Sequence, residues 1–363
     1  MNWIKKLSFY AITLTPFLIV VYLGLIIFFS YVWYADEKYW RAFTPTTTLE
    51  HIINQIGKRT LINPYLNTRN IWQAQENCVQ LDKSLIYRPS NSQDCLFENI
   101  EFKVKINHVD GKRIHSQINR NSDIKHVLVL GDSHAMGWGV KDNETFSALL
   151  DAYFDWIGFD NMAVSGYGTP RELMVAQNLL RQGRKYDLIL IQYCDNDIGE
   201  IQYYYKNKNI NKEYIIPIKE GLPISRVKKN FLVQYMNSVI SIAKNPLFFT
   251  DIPFQGNVNT DYNSYKGMLA AILMQFMSAN DFPEIIIFPI NGTLKDTAHI
   301  ASYLNSEVSM LKKQYQTLIH VVDPVSKAND KRRLFFKLDD HLNSEGHAFI
   351  AKQLRNTLEL ELK

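Results

Sequence analysis

The chain has 363 residues, 46% of them hydrophobic, which is enough apolar side chain for one large folded domain with additions and too much for a disordered protein. Its 40 Lys and Arg against 36 Asp and Glu leave a net charge of only +4, spread along the chain. The basic stripe of a nucleic-acid binder is missing, and local runs such as Lys206 to Lys212 and Lys331 to Arg333 read as solvated faces.

In chain order, the first feature is Leu7 to Tyr34, a run without Asp, Glu, Lys, Arg or His and rich in Leu, Ile, Val and Phe. It predicts one transmembrane helix, about 42 Å long at 1.5 Å per residue against a hydrocarbon core of about 30 Å. A cleaved signal peptide would have an apolar stretch about half as long and a small-residue cleavage site after it. Lys5 and Lys6 before the run and Lys38 and Arg41 after it nearly balance, so charge alone does not orient the span. Cys78 and Cys95 flank a loop-like stretch containing Pro89, Asn91 and Ser92, as a disulfide in an oxidising compartment would, although two free thiols fit equally well. Cys194 is left over. The reading adopted is a membrane anchor over 1–35, a cytoplasmic amino end, and the rest of the chain outside.

From residue 36 to 123 the pattern is irregular, a linker followed by a small β-rich accessory region. Within it, "INHVDGKRIHSQ" reads as two short strands joined through Asp110-Gly111. From 124 to 363 short apolar runs alternate with amphipathic stretches, the signature of βα units around a parallel sheet. Predicted strands are "HVLVLGD" ending at Asp132, "NMAV" ending at Val164, "YDLILIQY" ending at Tyr193, "PEIIIFPI" ending at Ile290 and "LIHVVD" ending at Asp323. Predicted helices are Glu144 to Trp156, Arg171 to Arg181, Tyr265 to Met277, Thr297 to Tyr315 and Ser344 to Leu360. Residues from about 200 to 262 read as an insertion. The fold class that follows is α/β, a three-layer α/β/α sandwich around a parallel sheet.

Four short blocks sit where chemistry belongs. Gly131-Asp132-Ser133-His134 follows the first strand directly, which puts the serine at the carboxyl rim of the sheet, where open α/β sheets hold their ligands. A serine hydroxyl needs a base, a group to orient that base and donors for an oxyanion. His341, in the polar loop Leu338-Asp339-Asp340-His341-Leu342-Asn343-Ser344, is the candidate base, with Asp339 or Asp340 to orient it; the alternative is an Asp- and His-rich loop whose Ser344 caps the next helix. Gly166 after the second strand and Asn196 after the third supply donors on the same rim, beside the amide of Ser133 itself. His134, His341 and His347 follow no recognised zinc spacing, and neither a metal nor a cofactor is expected.

Taken in order, strand-Gly-Asp-Ser, a Gly after strand two, Asn-Asp after strand three and a late Asp and His resemble the SGNH/GDSL hydrolase superfamily over about two thirds of the chain. The resemblance implies a flavodoxin-like domain with Ser133 as nucleophile, His341 as base, and an oxyanion hole from Ser133, Gly166 and Asn196. This chain departs from the common pattern with His134 after the serine, with Cys194 where the third block usually begins with Gly, and with Leu338 three residues before His341, where Asp is usual. Asp339 is therefore taken as the orienting acid, in an Asp-x-His-x-Asn-x-x-Gly form that some relatives share. The activity implied is serine-dependent hydrolysis of esters, acetyl esters of envelope glycans first and lipid esters second. A sugar hydroxyl in place of water would make the same site an O-acyltransferase. A non-catalytic, glycan-binding envelope protein is the reading from another class.

Overall fold

The computed structural model describes residues 14–24, 72, 77–92, 94–98, 102–114, 124–208, 262–279, 282–292, 297–336 and 341–362. Arg69–Gly221 with Gln255–Lys363 make one compact unit, and Met1–Thr68 with Leu222–Phe254 make another. Of the second unit the described part is a helix over 14–24, whose Phe17, Leu18, Ile19 and Val20 are exposed. The expected transmembrane helix is not shown: among the described residues no helix is long and apolar enough to cross a membrane, and the rest of Leu7 to Tyr34 lies outside them.

The larger unit begins with three small antiparallel pairs. Strand β1 (Val79–Asp82) pairs with β2 (Ile86–Pro89), β3 (Leu96–Glu98) with β4 (Lys103–Lys105), and β5 (His108–Val109) with β6 (Lys112–Arg113). The last pair turns through Asp110 (φ 52°) and Gly111 (φ 79°), both left-handed, as a two-residue hairpin turn of matching twist requires. Cys78 and Cys95 form a disulfide across this region, with Cα atoms 4.6 Å apart. Cys194 is a free, buried thiol. Trp72, Tyr87, Phe97 and Ile106 belong to the same buried apolar cluster as the large sheet.

That sheet has five strands: β7 (Lys125–Leu130), β8 (Ile157–Asn161), β9 (Leu188–Tyr193), β10 (Glu284–Pro289) and β11 (Ile319–Val321). All pair in parallel, in the order β11-β10-β9-β7-β8. Counted along the chain this is 2-1-3-4-5, the flavodoxin-like doubly wound order. Every residue of β9 and Val127 to Leu130 of β7 are buried, as expected of central strands covered on both faces. Each fully buried Leu, Ile or Val there contributes about 1.5–3 kcal/mol relative to exposure.

Helices flank the sheet. After the short α1 (Ser133–Met136) come α2 (Phe146–Tyr153), α3 (Thr169–Arg181), α4 (Asp197–Asn207), α5 (Met268–Ser278), α6 (Thr297–Ser309), the short α7 (Lys313–Gln316) and α8 (Ser344–Glu361). α2 packs against α8, while α3, α4, α5 and α6 pack in series.

Three expectations are corrected. The second strand is Ile157–Asn161 and not "NMAV", because its Asp160 and Asn161 hide a strand whose apolar residues are Ile157 and Phe159. The buried Asn161 amide is satisfied by the carbonyl of Ala135 and the hydroxyl of Ser147. Thr297 to Tyr315 is two helices, broken at Met310 and Leu311. The stretch after Tyr193 starts with α4, whose Ile198, Ile201 and Tyr204 recur at helical spacing and are buried. Residues 209–261 lie outside the described residues. Finally, Asn343 and not Ser344 caps α8, its side chain accepting from the amide of Gly346.

Two measurements of stability follow. Cys78→Ser removes a cross-link spanning 17 residues and is expected to lower unfolding free energy by about 3 kcal/mol in urea titration, from loop-closure entropy. Burial also depresses the imidazoles of His108 and His347 from 6.5 to about 3. Between those values the unfolded chain binds protons that the folded chain refuses, so stability is lost as pH falls below 6.5. The limiting slope is about 1.4 kcal/mol per pH unit for each histidine, and His347→Gln should roughly halve it in melts run across this window.

Candidate active site

The turn after β7 is built around Gly131. Its φ of +148° is closed to most side chains, and a Cβ there would come within 2.9 Å of Ala135 and of both Cβ and Oε1 of Gln192. Asp132 caps the next turn, its carboxylate accepting from the amide of His134 at 2.8 Å. Gln192, a polar residue in the otherwise apolar β9, accepts from the amides of Asp132 and Ala135, both at 3.2 Å. The chain thus reverses sharply, with Ser133 first in α1. This point lies between β7 and β9, where connections leave to opposite sides of the sheet and doubly wound folds open a crevice.

Residues before α8 bring His341 to the same place. The Phe336 amide donates to the His341 carbonyl, the Asn343 amide donates to that of Leu334, and the Asn343 side chain donates to Phe335. His341 Nε2 then lies 2.6 Å from Ser133 Oγ. The indole of Trp138 stacks on the imidazole, with centroids 4.5 Å apart and planes 13° from parallel, and Phe97 supports the indole edge-on at 4.5 Å. Asp339 and Asp340, the expected orienting acids, lie outside the described residues.

Gly166 and Asn196 are exposed at the rim, while Ser165, Tyr167 and Asp197 beside them are buried. The Val164 amide donates to the Gly131 carbonyl at 3.0 Å, joining the Gly166 turn to the serine turn. Asn196 Nδ2 donates to Asp132 Oδ2 at 3.2 Å, which places the Asn196 amide next to the residue preceding Ser133. The structure therefore brings Ser133 and His341 into contact and puts Asn196 and Gly166 on turns bonded to the serine turn.

A buried ion pair holds the Gly166 turn. Arg171 Nη2 lies 2.6 Å from Glu200 Oε2, and both side chains are almost wholly buried. Arg171 also donates to the Gly166 carbonyl, and Glu200 accepts from the amide of Gly168 at 3.1 Å. On the other side, Arg113 of β6 donates to the carbonyls of Met136, Gly137 and Val140, at 2.6 Å for the last two, and pairs with Asp142 at 2.9 Å. The accessory β region thereby fixes the end of the serine-bearing helix.

Carboxyls near the site are shifted upward. Burial raises Glu172 and Asp197 well above the usual range, reinforced for Glu172 by the charge of Asp197 and for Asp197 by that of Asp132, and burial raises Asp132 despite bonds from His134 and Asn196. His347, one of the histidines singled out in the sequence, is a core residue whose Nδ1 accepts from the amide of Phe146. Among the described residues, Glu284, His320 and Glu361 bring potential metal-ligating atoms within 4.8 Å of one another. Glu284 stands at the amino end of β10, the opposite end from the Ser133 rim.

Sequence reasoning missed Gln192, Trp138, Arg171, Glu200 and Arg113. A lone Gln in "LILIQY" was a usable signal, since a polar side chain inside a buried strand must find partners. The Arg171–Glu200 and Arg113–carbonyl contacts join residues distant in sequence and left no pattern.

Neither a family model nor a curated protein matches the chain. Similar solved structures include a lipolytic G-D-S-L family protein from Veillonella parvula (14% identity, TM-score 0.38, 65% of this chain and 98% of that one). Others are a family two carbohydrate esterase from Cellvibrio japonicus (12%, 0.39, 69% and 64%) and a psychrotrophic esterase from Pseudoalteromonas (14%, 0.38, 66% and 98%). These likenesses are distant.

Glu200→Gln leaves the Arg171 guanidinium buried without its counter-charge. Chemical denaturation of this variant should show a loss of about 3 kcal/mol, whereas an unchanged midpoint would mean that the pair does not hold the turn.

Proposed function

We propose that the chain is a serine-dependent ester hydrolase in which Ser133 is the nucleophile and His341 the general base. The observation that carries this reading is the 2.6 Å contact between His341 Nε2 and Ser133 Oγ at the switch point of the sheet. With the imidazole neutral and its proton on Nδ1, Nε2 accepts the hydroxyl proton as Oγ attacks an ester carbonyl. The carbonyl π electrons move to oxygen, and the amides of Ser133 and Gly166 with the side chain of Asn196 stabilise the resulting oxyanion. Collapse expels the alcohol, which takes the proton from His341 and leaves an acyl-serine. Water, deprotonated by His341, then attacks the acyl carbonyl and releases the acid and Ser133. Asp339, two residues before the base, is the proposed orienting acid. No step calls for a metal or a cofactor.

Short acyl groups fit a nucleophile that is only 6% exposed, with the indole of Trp138 stacked on its base. Acetyl esters on envelope glycans are the proposed substrates, ahead of lipid esters. An acceptor sugar entering in place of water would give O-acyl transfer from the same acyl-serine. The apolar run Leu7 to Tyr34 is the proposed membrane anchor, with the Cys78–Cys95 disulfide favouring a catalytic unit on the oxidising, periplasmic side.

The full chain, solubilised in detergent, should hydrolyse p-nitrophenyl acetate and react with a fluorophosphonate probe. Ser133→Ala and His341→Ala should each lower kcat/KM by about 10⁴-fold or more, with Ser133→Ala also abolishing labelling. Absence of both activity and labelling in a folded wild type would replace the hydrolase with a glycan-binding protein. Faster loss of substrate when acceptor glycans are added would identify transfer.

A further inference from the structure

The Gly166 turn is held at almost every backbone polar group. The amide of Ser165 faces Met136 Sδ at 3.4 Å, that of Tyr167 donates to Val164 at 3.0 Å, and that of Gly168 donates to Glu200. The Gly166 carbonyl accepts from Arg171. Among the described residues, only the N–H of Gly166 in this turn has no protein acceptor, and Gly166 is exposed.

The carbonyl of the same peptide group, that of Ser165, accepts a hydrogen bond from the hydroxyl of Tyr87 at 2.6 Å. Tyr87 lies on β2 in the accessory region and is 1% exposed. The contact is reciprocal, since the Tyr167 hydroxyl donates to the Tyr87 carbonyl and the two rings meet edge to face at 5.3 Å. The Arg171 guanidinium lies 4.3 Å from the centre of the Tyr167 ring and 5.4 Å from that of Tyr87.

In a trans peptide the C=O and N–H point in opposite directions, so a partner fixed on the Ser165 oxygen fixes where the Gly166 N–H points. A hydroxyl on that oxygen also polarises the amide and makes its N–H a stronger donor, because hydrogen bonds in series reinforce one another in a low-dielectric setting. We propose that Tyr87 is a positioning residue that aims and polarises the Gly166 N–H as an oxyanion donor. This rests on the ester-hydrolase reading. It gives the accessory hairpin a part in the reaction through the peptide group that joins Ser165 to Gly166. The interaction gains strength as negative charge develops on the bound carbonyl oxygen, so its loss appears in kcat and not in KM.

Tyr87→Phe keeps the ring and removes only the hydroxyl. In the p-nitrophenyl acetate assay with the full chain, kcat should fall about tenfold while KM stays within about twofold, less than the cost of deleting an oxyanion donor outright. The inhibition constant of phenylboronic acid, which forms a tetrahedral adduct on the serine, should rise by about the same factor. Wild-type kcat in Tyr87→Phe would overturn the inference and leave the hydrolase reading intact. A fall in kcat with no change in boronate affinity would overturn it too, by showing a structural role alone. A wild type without Ser133-dependent turnover would remove both readings. If Tyr87→Phe does not fold, 3-fluorotyrosine at position 87, a stronger donor of the same shape, decides: boronate binding tightened about twofold supports the polarising contact, and unchanged binding overturns it.

Discussion

A hydrogen bond of 2.6 Å joins Ser133 and His341, two residues 208 positions apart, and much of the architecture serves to make that contact. Neither residue can be placed locally. Ser133 depends on the tight reversal after β7, which needs Gly131 for its backbone angle and Gln192 for its amides. His341 depends on the clamped loop before α8, held by Asn343 and by a bridge between Phe335 and Leu342. The parallel sheet makes the meeting possible, because it delivers the carboxyl ends of all five strands to one rim and the 2-1-3-4-5 order opens a crevice there.

Around this contact, charge is buried where it fixes backbone. Arg113 is spent on three carbonyls at the end of α1 and in the turn after it, and Arg171 with Glu200 secures the turn that carries Gly166. Such pairs add little net stability, since removing two charges from water costs about as much as their attraction returns. What they provide is geometry. For the proposed reaction this matters because an oxyanion site works only when its donors are already aimed, and donors on loose turns would have to be ordered as the charge develops.

The accessory β region shares the compact unit and the buried apolar cluster of the sheet. Phe97 supports the Trp138 that stacks on His341, Arg113 ties down α1, and Tyr87 reaches the Ser165 carbonyl. Three small strand pairs, cross-linked by Cys78–Cys95, thus buttress the site from one side. Irregular sequence in this region concealed its role, since short strands with mixed side chains carry little periodic signal.

The sequence by itself determined the α/β class, the approximate position of four of the five central strands and the identity of the residues at the rim. Those follow from apolar runs of strand length, from helical spacing, and from Gly, Asp, Ser, Asn and His at strand ends, all of which are local patterns. Strand β8 escaped because Asp160 and Asn161 interrupt its apolar pattern, and α4 escaped because its buried face is partly tyrosine. Only the tertiary structure decided that Cys78 pairs with Cys95, that His347 is a core residue while His341 meets Ser133, and that Arg113, Arg171, Glu200 and Tyr87 converge on the serine and glycine turns. The reason is physical: partners in a buried polar network are chosen by proximity in the folded chain, and a pair such as Tyr87 and Ser165, 78 residues apart, leaves no mark at any spacing that one sequence can show.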